Sequence, residues 1–221
     1  MKNIISKLPT LLSGLFIGSL ALVQSSYADD ISVKHDLEGF DKIRIDNAAI
    51  ELDVEVGEDF EVIVEGSEIN VETLLFKVRG DKLVIYRDED SSRWDRRGNS
   101  SIEVSIKMPS FTGLDLRGAV DAEIKGIDSD EVEFDLKGAG NIEVEGECKW
   151  LIIDLKGAGN VEAKDLECEQ VDVELKGAGN IEVYASEEVS ADIKGMGNID
   201  VFGRPDKVSK SDGWLSHISI H

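Results

Sequence analysis

Apolar and polar residues alternate with a period of two over most of the chain. Leu52, Val54 and Val56 alternate with charged residues, then Phe60, Val62 and Val64, Phe76 and Val78, Leu83 and Ile85, and Ile102, Val104 and Ile106. Period two predicts strands with one buried face, and the Gly57-Glu58 and Gly80-Asp81 pairs are turn signals between them. Helical periodicity is scarce. From residue 115 onward the alternation becomes a repeat: Asp115–Ile124, Asp135–Val144, Asp154–Ala163, Glu174–Val183 and Asp192–Val201 align without gaps. Their first glycines are Gly118, Gly138, Gly157, Gly177 and Gly195, in steps of 20, 19, 20 and 18 residues. A degenerate sixth copy starts at Ser211-Asp212-Gly213. A fixed period near 20 is the mark of a solenoid.

Strand periodicity inside each repeat selects the kind of solenoid. About twenty residues divide into three short strands and three corners, so the expected fold is all-β, a parallel β-helix with ~19–20-residue rungs. Gly and Asn at one corner are expected to supply positive φ. The strands before residue 113 are expected to form irregular coils capping the N-terminal end. Trp214, Leu215, Ile218 and Ile220 are expected to close the last rung.

Stacked rungs turn equivalent residues into columns ~4.8 Å apart. Leu116, Leu136, Leu155, Leu175 and Ile193 form an inward core column. Beside it run an acidic column (Asp115, Asp135, Asp154, Glu174, Asp192) and a basic one (Arg117, Lys137, Lys156, Lys176, Lys194), which offset each other. Asn141, Asn160, Asn180 and Asn198 stack past the corner. Glu123, Glu143, Glu162, Glu182 and Asp200 form a second acidic column to which the motif supplies no cation. That ladder reads either as a stripe for cationic ligands or as a solvated face. Cys148 and Cys168 lie seven residues before Leu155 and Leu175, hence at equivalent places on adjacent rungs. They form either a disulfide or a stacked pair of buried thiols.

Lys2 and Lys7 precede an apolar stretch from Leu11 to Val23, and small Ser26 and Ala28 follow. Residues 1–28 therefore read as a Sec signal peptide cleaved after Ala28. Residues 29–221 read as one domain: irregular strands over 29–112, repeats over 113–213 and a cap over 214–221. The destination is the periplasm or the cell surface.

Composition narrows the function classes. The chain has 46 acidic and 24 basic residues, a formal net charge of -22 at pH 7. Nucleic acid is excluded as a partner by that balance. Three His and two Cys leave little material for a zinc site; His217 and His221 stand roughly 13 Å apart on a strand. Gly-Ala-Gly-Asn is only a partial echo of calcium-binding nonapeptides. No cofactor or metal is expected. Phosphate-loop, nucleophile-elbow and zinc-protease motifs are absent from the sequence.

One stretch departs from the acidic background, Ser91–Gly98, with Arg93, Trp94, Arg96 and Arg97. Arg beside Trp is a common hot-spot pairing, so these four are candidate binding residues. Alternatively the arginines pair with Asp88, Glu89, Asp90 and Asp95 in a surface loop.

The recurring Leu-Lys-Gly-Ala-Gly-Asn-Ile-Glu-Val motif, the segments Phe40–Ile45, Glu51–Val56 and Val104–Pro109, and the link at Gly203-Arg204-Pro205 resemble the auto-transporter adhesin, head GIN domain family. The sequence departs from the pattern at Val120, which replaces the second glycine, and at Met196, which replaces alanine. The resemblance implies a β-solenoid, export and adhesin-like binding. The expected function is a non-catalytic envelope or surface binding module, with a glycan or a surface protein as partner. The alternatives are a carbohydrate-active enzyme on the same scaffold, or a periplasmic structural or sensory protein.

Overall fold

The computed structural model describes residues 30–87 and 101–221; the proposed signal peptide lies outside them. Strand accounts for 77% of the structure and helix for 3%, wound as a β-solenoid of about 5 turns. The first part holds Asp30–His35 (β1), Lys42–Val56 (β2), Glu61–Ser67 (β3), Glu68–Thr73 (α1), Leu74–Arg79 (β4), Lys82–Arg87 (β5) and Glu103–Met108 (β6). The repeats form Gly113–Leu136 (β7), Ala139–Leu155 (β8), Ala158–Leu175 (β9), Ala178–Ile193 (β10) and Met196–Phe202 (β11). Lys207–Ser211 (β12) and Ser216–Ile220 (β13) end the chain. Among the described residues no helix is long and apolar enough to cross a membrane.

Parallel pairing carries the repeat. β7 to β11 stack in order, each residue opposite its repeat equivalent: Ile142↔Val161↔Ile181↔Ile199 inward, Glu143↔Glu162↔Glu182↔Asp200 outward. Alternation therefore sends one set of side chains into a continuous core, where Phe111, Ile124, Phe134, Leu151, Val173 and Leu175 are buried. β2 already belongs to this stack, pairing in parallel with β7 from Lys42↔Gly113 to Glu55↔Lys125. The regular solenoid thus begins at Lys42, a rung before the glycine motif. The motif is hidden there because β2 carries an extra residue at the corner, where Asn47 (φ 52) and Ala48 stand against Gly118 and shift the register. Among the described residues antiparallel pairing appears only ahead of this rung, in β1–β3, β3–β6 and β4–β5.

Positive φ occurs at only two of the motif glycines, Gly140 (φ 152) and Gly197 (φ 140), so close approach rather than positive φ is what the glycine column as a whole serves, which corrects the sequence expectation in part. Gly138, Gly157, Gly177 and Gly195 do not have positive φ, nor do the ladder asparagines. A Cβ added at Gly157 would lie 1.8 Å from the Gly138 carbonyl oxygen, and one at Gly179 would lie 1.7 Å from that of Gly159. Stacking brings the backbones of successive corners too close for any side chain. Val120 is the exception: its partner on β2 is Ile50 rather than a glycine, and both side chains are buried.

The C-terminal closure also differs from expectation. Ile218 is 1% exposed, but Trp214 is 93% and Leu215 57% exposed. On β12 the position beneath buried Ala191 is Lys210, whose ammonium donates to the Ile218 carbonyl at 3.3 Å. With a cation at an inward position, the last rung offers no apolar layer against which Trp214 could pack.

Candidate functional site: an acidic groove on the ladder face

One face of the solenoid is built from β6, β2, β7, β8, β9, β10, β11 and β13 in lateral order. Two outward columns cross it. The first runs Glu103, Glu51, Asp121, Asn141, Asn160, Asn180, Asn198 and His217. The second runs Asp53, Glu123, Glu143, Glu162, Glu182 and Asp200.

The asparagines form a directed hydrogen-bond chain. The Asn198 amide donates to Asn180 Oδ1 at 3.0 Å, Asn180 to Asn160 at 3.1 Å, Asn160 to Asn141 at 3.0 Å, and Asn141 to the Asp121 carboxylate at 2.9 Å. The backbone amides of Asn141 and Asn180 donate to the same acceptors at 3.2 Å. Every side-chain donor points toward the N-terminal end, and an ionised acceptor terminates the run, which strengthens its last bond. Asp121 stands where later copies have Asn, and this substitution divides the first column: neutral amides on one side, carboxylates on the other.

At that division lies a groove of about 590 Å³, lined by Glu51, Asp53, Glu103, Asp121, Glu123, Glu143 and Glu162 together with Asn141. None of its lining residues is Lys or Arg. Among the described residues, cations reach the second column only from outside the repeat motif. Lys125 pairs with Glu123, Lys164 with Glu182 at 3.0 Å, and His221 Nε2 lies 3.2 Å from Asp200. The hydrogen bonds to Glu123 and Glu182 raise the Lys125 and Lys164 pKa values above 10.5. Among the described residues Glu143 and Glu162 have no ion pair within 4.0 Å. Carboxylates stacked at rung spacing repel one another, so a cation entering this groove relieves repulsion as well as gaining attraction.

The neighbouring face shows the opposite arrangement. Arg117 bonds Asp115, Lys137 bonds Asp135, Lys156 bonds Asp154, and Lys176 bonds Glu174, all two residues along one strand. Lys194 bridges Asp192 at 2.8 Å and Glu174 of the preceding rung at 2.7 Å. Glu174, held by Lys176 and Lys194, has its pKa lowered, and that of Lys194 is raised. This ladder is internally neutralised and has no charge to offer a partner.

Cys148 and Cys168 face each other across β8 and β9, joined by a disulfide with Cα atoms 4.5 Å apart. His217 follows Asn198 in the ladder, while the His221 ring stacks on Phe202 and contacts Asp200, so the two do not converge. Among the described residues no group of three or more His, Cys, Asp or Glu could hold a metal ion. Arg93, Trp94, Arg96 and Arg97 lie outside the described residues. Sequence reasoning missed Glu51, Asp53, Glu103 and Asp121. Their signal was available once residues 47–56 are aligned beneath 118–125, since the rung spacing then places Glu51 and Asp53 beside Asp121 and Glu123.

Among curated proteins, none matches the chain. A crystal structure described as a "putative adhesin" from Bacteroides fragilis NCTC 9343 superposes with a TM-score of 0.70 at 21% identity, covering 87% of this chain and 97% of that one. A "putative lipid binding protein" from Parabacteroides distasonis ATCC 8503 gives 0.43 at 17% identity, covering 88% and 95%. A "putative adhesin" from the same strain gives 0.49 at 14% identity, covering 88% and 98%. Of these three, only the first bears on this chain, and at 21% identity it bears on the fold alone. A family model matches residues 39–205, and the chain belongs to that family, described as "Putative auto-transporter adhesin, head GIN domain".

Proposed function

We propose that the protein is an exported, non-catalytic binding module of the adhesin type, and that its acidic groove takes a cationic segment of an envelope or cell-surface protein. The observation that carries the reading is the contrast between two faces of one solenoid. One neutralises every ladder carboxylate within the repeat, whereas the other gathers seven carboxylates in a groove that no Lys or Arg lines, with Lys125 pairing Glu123 from beside it. Rung spacing fixes these groups on a rigid sheet, so little ordering entropy is lost when a partner docks. Each exposed carboxylate–ammonium contact contributes only about 0.2–1 kcal/mol. Useful affinity therefore comes from several contacts made together. Membership of an adhesin family supports a binding role over turnover.

The test is titration of mature protein, residues 29–221, with an oligolysine peptide and an uncharged peptide of equal length. Binding of oligolysine alone, weakened by salt and lost in a Glu123→Gln/Glu143→Gln/Glu162→Gln variant that remains folded, is the expected result. Equal binding by the variant would remove the groove from the account. Release of sugars from envelope polysaccharides by the wild type would overturn the non-catalytic reading.

A further inference from the structure

Among the described residues four strands have a single neighbour: β1, β4, β12 and β13. Natural sheet edges are guarded by charged side chains against pairing with another chain. Three of these edges follow that rule, with Asp30 and Lys34 on β1, Lys77 and Arg79 on β4, and Lys207 and Lys210 on β12. β13 reads Ser-His-Ile-Ser-Ile and has no Asp, Glu, Lys or Arg. Apolar exposure concentrates at the same place. Trp214 and Leu215 lead directly into β13, Ile220 on it is 37% exposed, and Val208 of the adjacent rung is 45% exposed.

Charge singles out this end as well. Residues 203–221 hold three basic residues (Arg204, Lys207, Lys210) and two acidic ones (Asp206, Asp212), whereas the remaining 202 residues hold 21 basic and 44 acidic. Two copies of the chain repel each other over most of their surface, and least here. We infer that β13 is a self-association edge, pairing antiparallel with β13 of a second copy about a two-fold axis. A two-fold contact requires a self-complementary patch. With Ile218 opposite its own copy, Ser216 stands opposite Ile220 and His217 opposite Ser219. Inward residues then meet inward ones, and no like charges are opposed.

Backbone geometry supports the pairing. The His221 amide donates to the Val201 carbonyl at 2.8 Å. Amides alternate in direction along a strand, so those of Ser219 and His217 also face β11, while those of Ile218 and Ile220 face the open edge. Lys207 and Lys210 confine the pairing to β13. The ladder face would then run unbroken through both copies, and five strand spacings on either side of the new pair would set the centres of the two acidic grooves roughly 50 Å apart. The inference stands independently of what the groove binds, and it would make the module bivalent.

Sedimentation velocity on the mature chain over a wide concentration range tests it. The expected result is a concentration-dependent monomer–dimer equilibrium. Ile220→Pro removes only an amide that faces the open edge, and Ile220→Lys places a charge on it; both should be monomeric with unchanged circular dichroism. Trp214→Ser should weaken the dimer several-fold. A wild type monomeric at the highest concentration, or a dimer that survives both Ile220 variants, would overturn the inference.

Discussion

Replacing Gly157 by alanine tests the claim that the repeat glycines exist for backbone approach. The added Cβ would lie 1.8 Å from the Gly138 oxygen, 2.8 Å from its carbonyl carbon and 3.1 Å from its nitrogen. All three are backbone atoms, so no rotamer change relieves the clash, and the corners must separate by more than about 1 Å. Two ladder bonds stand on either side of this contact, Ala158 N to Gly138 O at 3.1 Å and Lys156 N to Leu136 O at 2.8 Å. Losing or stretching both costs about 1–3 kcal/mol, and overpacking strain adds about 1–3 kcal/mol. Alanine also removes conformational freedom from the unfolded chain, a gain of about 0.4–1 kcal/mol. The clash wins, and the net loss should be about 2–5 kcal/mol. For a domain of this size each kcal/mol lowers Tm by about 2–4 °C.

Thermal and urea unfolding of Gly157→Ala should therefore show a fall in Tm of roughly 5–20 °C. Gly213→Ala is the control, because its nearest neighbour is Ser216 Oγ at 3.5 Å and its φ is not positive. That change should stay within about 0.5 kcal/mol of wild type. If Gly157→Ala were as stable as Gly213→Ala, close approach could not be the reason for the glycine column, and the stacking account of the repeat would fail.

The Cys148–Cys168 disulfide closes a loop of 20 residues in sequence; Cys148→Ser/Cys168→Ser should lose about 3 kcal/mol in urea melts under oxidising conditions, and an unchanged midpoint would show that the rungs alone fix this corner. Glu174 has a pKa below its ordinary 4.5 because Lys176 and Lys194 hydrogen-bond its carboxylate. Its contribution to stability is therefore complete above pH 4.5 and is lost as pH falls through the lowered folded value. Unfolding curves of Glu174→Gln should accordingly depend less on pH below 4.5 than those of wild type, and parallel acid limbs would refute the assignment. Asn160→Ala interrupts the amide ladder between Asn141 and Asn180 and should cost about 1–2 kcal/mol by thermal melt while leaving the disulfide formed; a neutral outcome would make the ladder ornamental to stability.

The solenoid was legible in the sequence because stacking forces a period. Residues that must contact their own equivalents one rung away, such as Leu136, Leu155, Leu175 and Ile193, are the same or a near-isosteric residue in each copy. The charge ladder was legible for the same reason, since Asp154 and Lys156 recur with their rung. Sequence reading faltered where the rung count changed. One extra residue at Asn47–Ala48 disguises the motif in β2, so its residues read as an irregular coil, and the carboxylates it contributes to the groove are hidden with it. It faltered again where geometry, rather than residue type, set the reason: glycine suggests positive φ, but only the distance from Gly157 to the Gly138 carbonyl shows the steric one. Both features proposed to carry function sit where the repeat is broken. Asp121 replaces the ladder asparagine and opens the groove, and β13 drops the charges carried by every other edge. In a solenoid, obeying the repeat suffices to stack one rung on the next. A departure that the fold tolerates at the surface answers to something other than the neighbouring rung, which is why a partner should be sought at Asp121 and at β13 before anywhere on the regular faces.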